Sequence, residues 1–170
     1  MELVLPTIEH KSAALDYRQE HFDCGETVLH GDGGLDRANT YVGWLEKIRA
    51  DSTRPFSNDL VPATVFFGMH NGKIVGMLQI RHKLNERLLK TYGHIGYGVR
   101  PSERRKGYAT QILAAALVKC REMGLDKVLI SCDKQNMGSA RTIIKNGGVL
   151  TNEFIDIDGS TVQQYWIAIN

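Results

Sequence analysis

Residues Gly93–Thr110 read GHIGYGVRPSERRKGYAT, and the order of residue types spells strand, loop, then helix start. His94 to Arg100 mixes β-branched and aromatic residues with glycines. Pro101 ends any ladder there, because it has no N–H to donate. Arg104, Arg105 and Lys106 precede Gly107, and from Tyr108 the apolar spacing turns helical. A glycine in a basic turn lets backbone approach a ligand closely. The amides of a helix's first turn lack partners inside the helix, and that end carries partial positive charge. Such a junction favours an anion, phosphate above all.

Working outward, Tyr108 to Met123 predicts the strongest helix. Ile112, Leu113, Ala116, Leu117 and Cys120 share one face, and Gly124 stands where a left-handed cap belongs. Lys127 to Cys132 predicts a short buried strand, so a strand–helix–strand unit with locally parallel strands is expected. Upstream, Ala63–Met69 and Lys73–Arg81 predict a hairpin turning on Asn71-Gly72. Glu2–Leu5 is a strand candidate. Helical spacing is expected from Ile8 to about Cys24 and from Asp36 to about Ala50, with a glycine-rich loop from Gly25 to Gly34 between them. Ser52–Pro62 reads as a connector, and His82–Thr91 as a polar stretch with room for one helical turn. Downstream, Ser139–Lys145 predicts a short helix, and Val149–Ile157 with Ser160–Ile169 a final hairpin.

The chain has 170 residues, 42% of them apolar and 24% charged, which suits a single globular domain spanning 1–170. A net charge of +2 gives no reason to expect a nucleic-acid partner. No apolar run nears the ~20 residues of a membrane span, and the first residues do not read as a secretory signal. Cys24, Cys120 and Cys132 are three, with no C-x-x-C. Reduced thiols in a cytoplasm are expected, with no metal site.

The phosphate-favouring junction is neither a Walker loop, which needs G-x-x-x-x-G-K, nor a dinucleotide fingerprint, because position 101 is proline. It contains R-x-x-G-x-A at Arg104, Gly107 and Ala109. This resembles motif A, Q/R-x-x-G-x-G/A, of the GNAT superfamily of acyl-CoA-dependent N-acyltransferases. The predicted element order resembles that family across nearly the whole chain. The resemblance implies an α/β fold: a mixed, mostly antiparallel central sheet flanked by helices, with the fourth and fifth strands splayed. It implies acetyl-CoA as co-substrate, no metal, a small-molecule or peptide amine as acceptor, direct transfer in a ternary complex, and a possible homodimer. Coenzyme A carries a pyrophosphate, which the loop of Arg104, Arg105, Lys106, Gly107, Tyr108, Ala109 and Thr110 would cradle, with one or two of its three basic side chains on the cofactor and the others at the 3′-phosphate or in water. Its amide-bearing arm would lie along the fourth strand at Tyr97, Gly98 and Val99, where a backbone amide would polarise the thioester carbonyl. Gly96 and Gly98 fit close approach by a ligand backbone, or else mark a bulge.

A second family pattern, N-x-x-A-x-x-x-Y-x-x-x-G-F, is matched from Asn136 through Ser139 to Gly147, with Ile143 where the family often has its tyrosine. Asn136 and Ser139 are expected at the cofactor; a helix N-cap explains Asn136 equally well. Tyr97, Tyr165 or water is then expected to assist the departing thiolate. His94, at the start of the fourth strand, is the first candidate for the base that deprotonates the amine. His82, Glu86 and Glu26 follow it, and Trp44, Tyr165 and Trp166 are candidate walls of the acceptor site. A module that binds acyl-CoA without turnover and a nucleotide- or RNA-binding protein are the alternative readings.

Overall fold

The computed structural model describes residues 1–57 and 60–169. Among the described residues seven strands form two sheets. In the first, β1 (Glu2–Val4), β2 (Ala63–His70), β3 (Lys73–Arg81) and β4 (Ile95–Val99) lie in chain order. In the second, β7 (Thr161–Ala168) runs between β5 (Lys127–Asp133) and β6 (Val149–Ile155). The β2–β3 hairpin turns on Asn71 and Gly72, both at positive φ (48° and 74°), as a type I′ turn requires.

Every ladder among the described residues is antiparallel. The strands flanking the central helix form no ladder with each other and splay, as the family resemblance implies. The crossover brings β5 beside β4, but only one bridge joins them, Gly93 to Ile130. Beyond it the two strands share no ladder, and the sheet opens into a gap.

The central helix α4 (Tyr108–Glu122) buries Ile112, Leu113, Ala116 and Cys120 completely. Each large aliphatic chain so buried contributes about 1.5–3 kcal/mol. Ile112 reaches the sheet over Gly76, where an added Cβ would sit 2.4 Å from its Cδ1. The opposite face of the first sheet carries α1 (Lys11–Asp23) and α2 (Tyr41–Thr53). There Tyr17, Trp44, Leu45 and Ile48 pack on Val65, Phe67 and Met77. The helix expected from Asp36 instead breaks at Ala38, whose ψ is 129°, and starts afresh at Thr40. The Thr40 hydroxyl accepts the Gly43 amide at 3.1 Å, a cap stronger than the pattern before it. The polar stretch holds α3 (Glu86–Lys90), capped by Asn85. The last helix, α5 (Met137–Lys145), packs on α4 and β5. Part of the expected Ser52–Pro62 connector, residues 58–59, lies outside the described residues.

Candidate active site

Between β4 and α4 the chain turns through a left-handed residue at Arg105 (φ 62°) and another at Gly107 (φ 81°). Helical bonding resumes only with the Gln111 amide, which donates to the Gly107 carbonyl at 3.2 Å. Among the described residues, the amides of 105–110 therefore find no acceptor. They form an open nest of donors at a helix N-terminus, the arrangement that receives phosphate. The Arg105 side chain is exposed and unpaired among the described residues. Its neighbours are engaged. Arg104 forks onto Glu26 at 2.6 and 2.7 Å and donates to the Val99 carbonyl, while Lys106 pairs with Glu103 at 2.8 Å.

Glu26 is thus held by Arg104 first, and by His21, whose Nδ1 lies 2.8 Å away. Its carboxyl titrates at about 2, well below the ordinary range. One turn earlier, Glu20 accepts from Arg100 at 3.0 Å and from the Ser102 amide at 2.8 Å. Glu20 of α1 and Glu26, just past its end, thereby hold the loop at Arg100, Ser102 and Arg104. Sequence reading missed this support, since acidic residues 80 positions upstream carry no local signal.

The ladder of β4 has a parity that matters. Arg81 donates to the His94 carbonyl, and Arg100 to that of Val75. Bonding alternates along an antiparallel pair, so Gly96 and Gly98 bond to β3. Ile95, Tyr97 and Val99 then aim their backbone groups into the gap toward β5. The loop 29–34 lies on the face of this strand. A Cβ on Gly31 would stand 2.5 Å from the Gly96 carbonyl oxygen, and one on Gly98 would stand 2.9 Å from that of His30. Gly98 thus admits the chain's own loop, where sequence reading offered a ligand backbone or a bulge, while a Cβ on Gly96 would meet nothing nearer than the Gly31 amide at 3.7 Å.

Two cavities meet in the gap. One, of about 620 Å³, runs past Glu26, Gly98, Val99, Arg104 and Ala109. The other, of about 590 Å³, runs past Asp32, Gln79, Arg81, Ile95 and Cys132. His30, Tyr97, Asn136 and Ser139 line both. Where they join, the Tyr97 hydroxyl lies 3.0 Å from the Ser139 hydroxyl. Burial raises the phenol to about 12, so it stays protonated. Asn136 caps α5, its side-chain oxygen accepting the Ser139 amide at 3.0 Å. Ile143 is fully buried in the core.

Residues 35–147 match the acetyltransferase (GNAT) family model. The chain belongs to the GNAT family. Solved structures with this fold include the microcin C7 self-immunity acetyltransferase MccE with acetyl-CoA and AMP (16% identity, 98% of this chain and 91% of that one, TM-score 0.73). Another is RimL, a ribosomal L7/L12 α-N-protein acetyltransferase with coenzyme A (16%, 98% and 93%, TM-score 0.71). A third is an N-acetyltransferase from Staphylococcus aureus Mu50 (15%, 99% and 98%, TM-score 0.68). No curated protein matches the chain in sequence.

Within this GNAT domain the other sequence candidates are scattered. His94 is 6% exposed and lines neither cavity. Its Nδ1 accepts the Leu129 amide at 2.9 Å, and its own amide donates to the Leu129 carbonyl at 2.7 Å. Burial, with Arg81 nearby, lowers it to about 4. His94 therefore clamps β4 to β5 at the start of the gap. Glu86 opens α3 and borders neither cavity, and His82 lies 2.8 Å from the Thr64 hydroxyl. Trp44 is buried in the α2 core with its indole N–H on the Asp32 carbonyl. Tyr165 is buried in the other core, and Trp166 borders a groove beside α3. None of the three aromatics lines the gap.

The GNAT motifs do not point to Asp32 or Arg81. Asp32 is 5% exposed, and its carboxylate accepts the Gly34 amide at 3.0 Å and the Asp36 amide at 2.7 Å. Burial raises this carboxyl above the ordinary range, and the Asp36 carboxyl adds to the rise. Among the described residues no cluster of ligating side chains could hold a metal, and no helix is long and apolar enough to cross a membrane.

Proposed function

We propose that residues 1–170 act as one N-acetyltransferase domain, moving an acetyl group from acetyl-CoA to a primary amine while both are bound. One observation carries this: an amide nest and an unpaired strand edge adjoin a cavity that continues into a second one at Tyr97. The nest at 105–110, with Arg105, suits a pyrophosphate. Arg104 and Lys106 act differently, one tethering the loop to Glu26 and the other paired with Glu103. The outward amides of Tyr97 and Val99 suit the amide-bearing arm and the thioester carbonyl, whose oxygen gains charge as the amine adds.

The amine nitrogen bonds to the carbonyl carbon, the carbon–sulfur bond breaks, and the sulfur leaves with the electron pair. Tyr97, protonated and held by Ser139, donates a hydrogen bond to that sulfur, in place of the tyrosine that Ile143 replaces. The ammonium proton passes to Asp32 through water in the second cavity; its raised pKa suits a base better than an ordinary carboxylate would. His94, with its Nδ1 occupied, holds the strands instead.

The test is thiol release from acetyl-CoA over an amine panel, with Tyr97→Phe beside the wild type. Tyr97→Phe is expected to lower kcat by about 100-fold and to leave the Kd of acetyl-CoA within about threefold, since it removes a donor used only as charge develops. An unchanged kcat sinks the role given to Tyr97. Tight acetyl-CoA binding with no thiol released by any amine leaves a binding module.

A further inference from the structure

Arg81 ends β3, half-buried at the wall of the second cavity. Its Nη1 donates to the Gly93 carbonyl at 3.1 Å, and its guanidinium lies 5.8 Å from the centre of the Tyr92 ring. A guanidinium has five donors, and the remaining ones meet no acceptor among the described residues. No carboxylate pairs with it there, unlike the other cations of this cavity: Lys47 pairs with Asp51 at 2.7 Å and Arg37 with Asp36 at 3.6 Å. Burial lowers its pKa; Tyr92 opposes that fall and the cation Arg87 adds to it. Among the described residues no carboxylate pairs with it to offset the desolvation. Gln79, two residues earlier on the same strand face, lines the same cavity, and its amide also has no partner among the described residues.

The cavity's carboxylates stand elsewhere. Asp133 closes the far end of β5, three residues past the Gly93–Ile130 bridge. Asp156 lies in the β6–β7 turn, and Asp32 is bound to its own loop. A partly desolvated cation without a counter-ion is costly to the protein alone and gains when a ligand supplies the anion. Guanidinium and carboxylate match in planar, forked geometry. A volume of about 590 Å³ is of small-molecule size.

We infer that the acceptor is a small amine that also bears a carboxylate, with the carboxylate held on Arg81 beside Gln79 and the amine at Tyr97. This deepens the transferase reading and rests on the second cavity being the acceptor's. Polyamines and aminoglycosides, which bring only cations to Arg81, fall outside the class.

The test compares α- and ω-amino acids with their own carboxamides, by turnover and by calorimetric binding to the CoA-loaded protein, in wild type, Arg81→Gln and Arg81→Lys. The wild type is expected to prefer acid over amide by roughly 10–100-fold, the size of a charge-assisted pair. Arg81→Gln brings acid down to amide, and Arg81→Lys restores part of the preference. Equal use of acid and amide by the wild type overturns the inference. So does a peptide with a free amine and an amidated end that outperforms every acid, or a preference that survives in Arg81→Gln. Melting temperatures identify a variant that has merely unfolded, and Arg81→Lys then carries the comparison. The binding arm separates the two failures. Acids that bind through Arg81 without releasing thiol defeat the transferase reading alone. Thiol release with no acid–amide difference defeats the carboxylate site alone.

Discussion

His94 and Tyr97 sit three residues apart, and the structure gives them opposite tasks. Tyr97 reaches across the gap to Ser139 at the junction of the cavities. His94 is turned inward, and its ring nitrogen satisfies a buried amide of the next strand. Sequence could name both as chemistry-bearing but not sort them, because the difference lies in the Leu129 amide, 35 positions away. The histidine makes a thermodynamic prediction. Its folded pKa, about 4, lies below the unfolded value of about 6.5, so the unfolded chain binds the extra proton between them. Its contribution is complete above pH ~6.5 and fades as pH falls towards ~4. Thermal melts of the wild type should show that loss. His94→Asn, which keeps an acceptor at the same place, should flatten the slope and retain turnover. His94→Ala should cost about 1–3 kcal/mol at pH 7, the penalty of an unpaired buried amide. A His94→Asn enzyme that folds and binds acetyl-CoA but cannot turn over would return the histidine to the base role.

The elements themselves were largely legible. The hairpin at Asn71-Gly72, the central helix and the closing hairpin follow from local pattern, and the structure has them with ends shifted by a few residues. The splay of β4 from β5 came from the family resemblance and not from local pattern. A crossover helix brings two strands side by side, but whether they zip depends on what fills the space, and here the Tyr97 side chain and the start of α5 fill it. The tether between Glu26, just past α1, and the phosphate-favouring loop was equally hidden. Its carboxylate makes an element-level prediction. Glu26 titrates at about 2 when folded against about 4.3 in an open chain. Its support is therefore present above pH ~4.3 and lost as pH falls towards ~2. Glu26→Gln should lose that part of the acid transition in circular-dichroism melts. At neutral pH it should weaken acetyl-CoA binding several-fold, by freeing Arg104 and loosening the loop. An unchanged Kd would show that the Glu26–Arg104 pair does not hold the loop in working shape.

At the scale of the whole molecule, the two antiparallel sheets share a core and, among the described residues, one backbone bridge, and open beyond it onto a pair of cavities. The ladder parity makes the opening testable amide by amide. On adding acetyl-CoA, hydrogen exchange at Tyr97 and Val99 should slow markedly. Exchange at Gly96 and Gly98, already bonded to β3, should change little. Equal protection of all four amides would mean that the ligand tightens the sheet generally and does not lie along its edge.

The loop at Gly31 presses so closely on β3 and β4 that even a methyl group would strike the Gly96 carbonyl. Anyone redesigning this protein for new acceptors inherits that restriction. Diversity belongs at Gln79, Thr91 and Tyr92, which border the cavity without wedging the strands apart, whereas a library that randomises position 31 would mostly sample broken scaffolds.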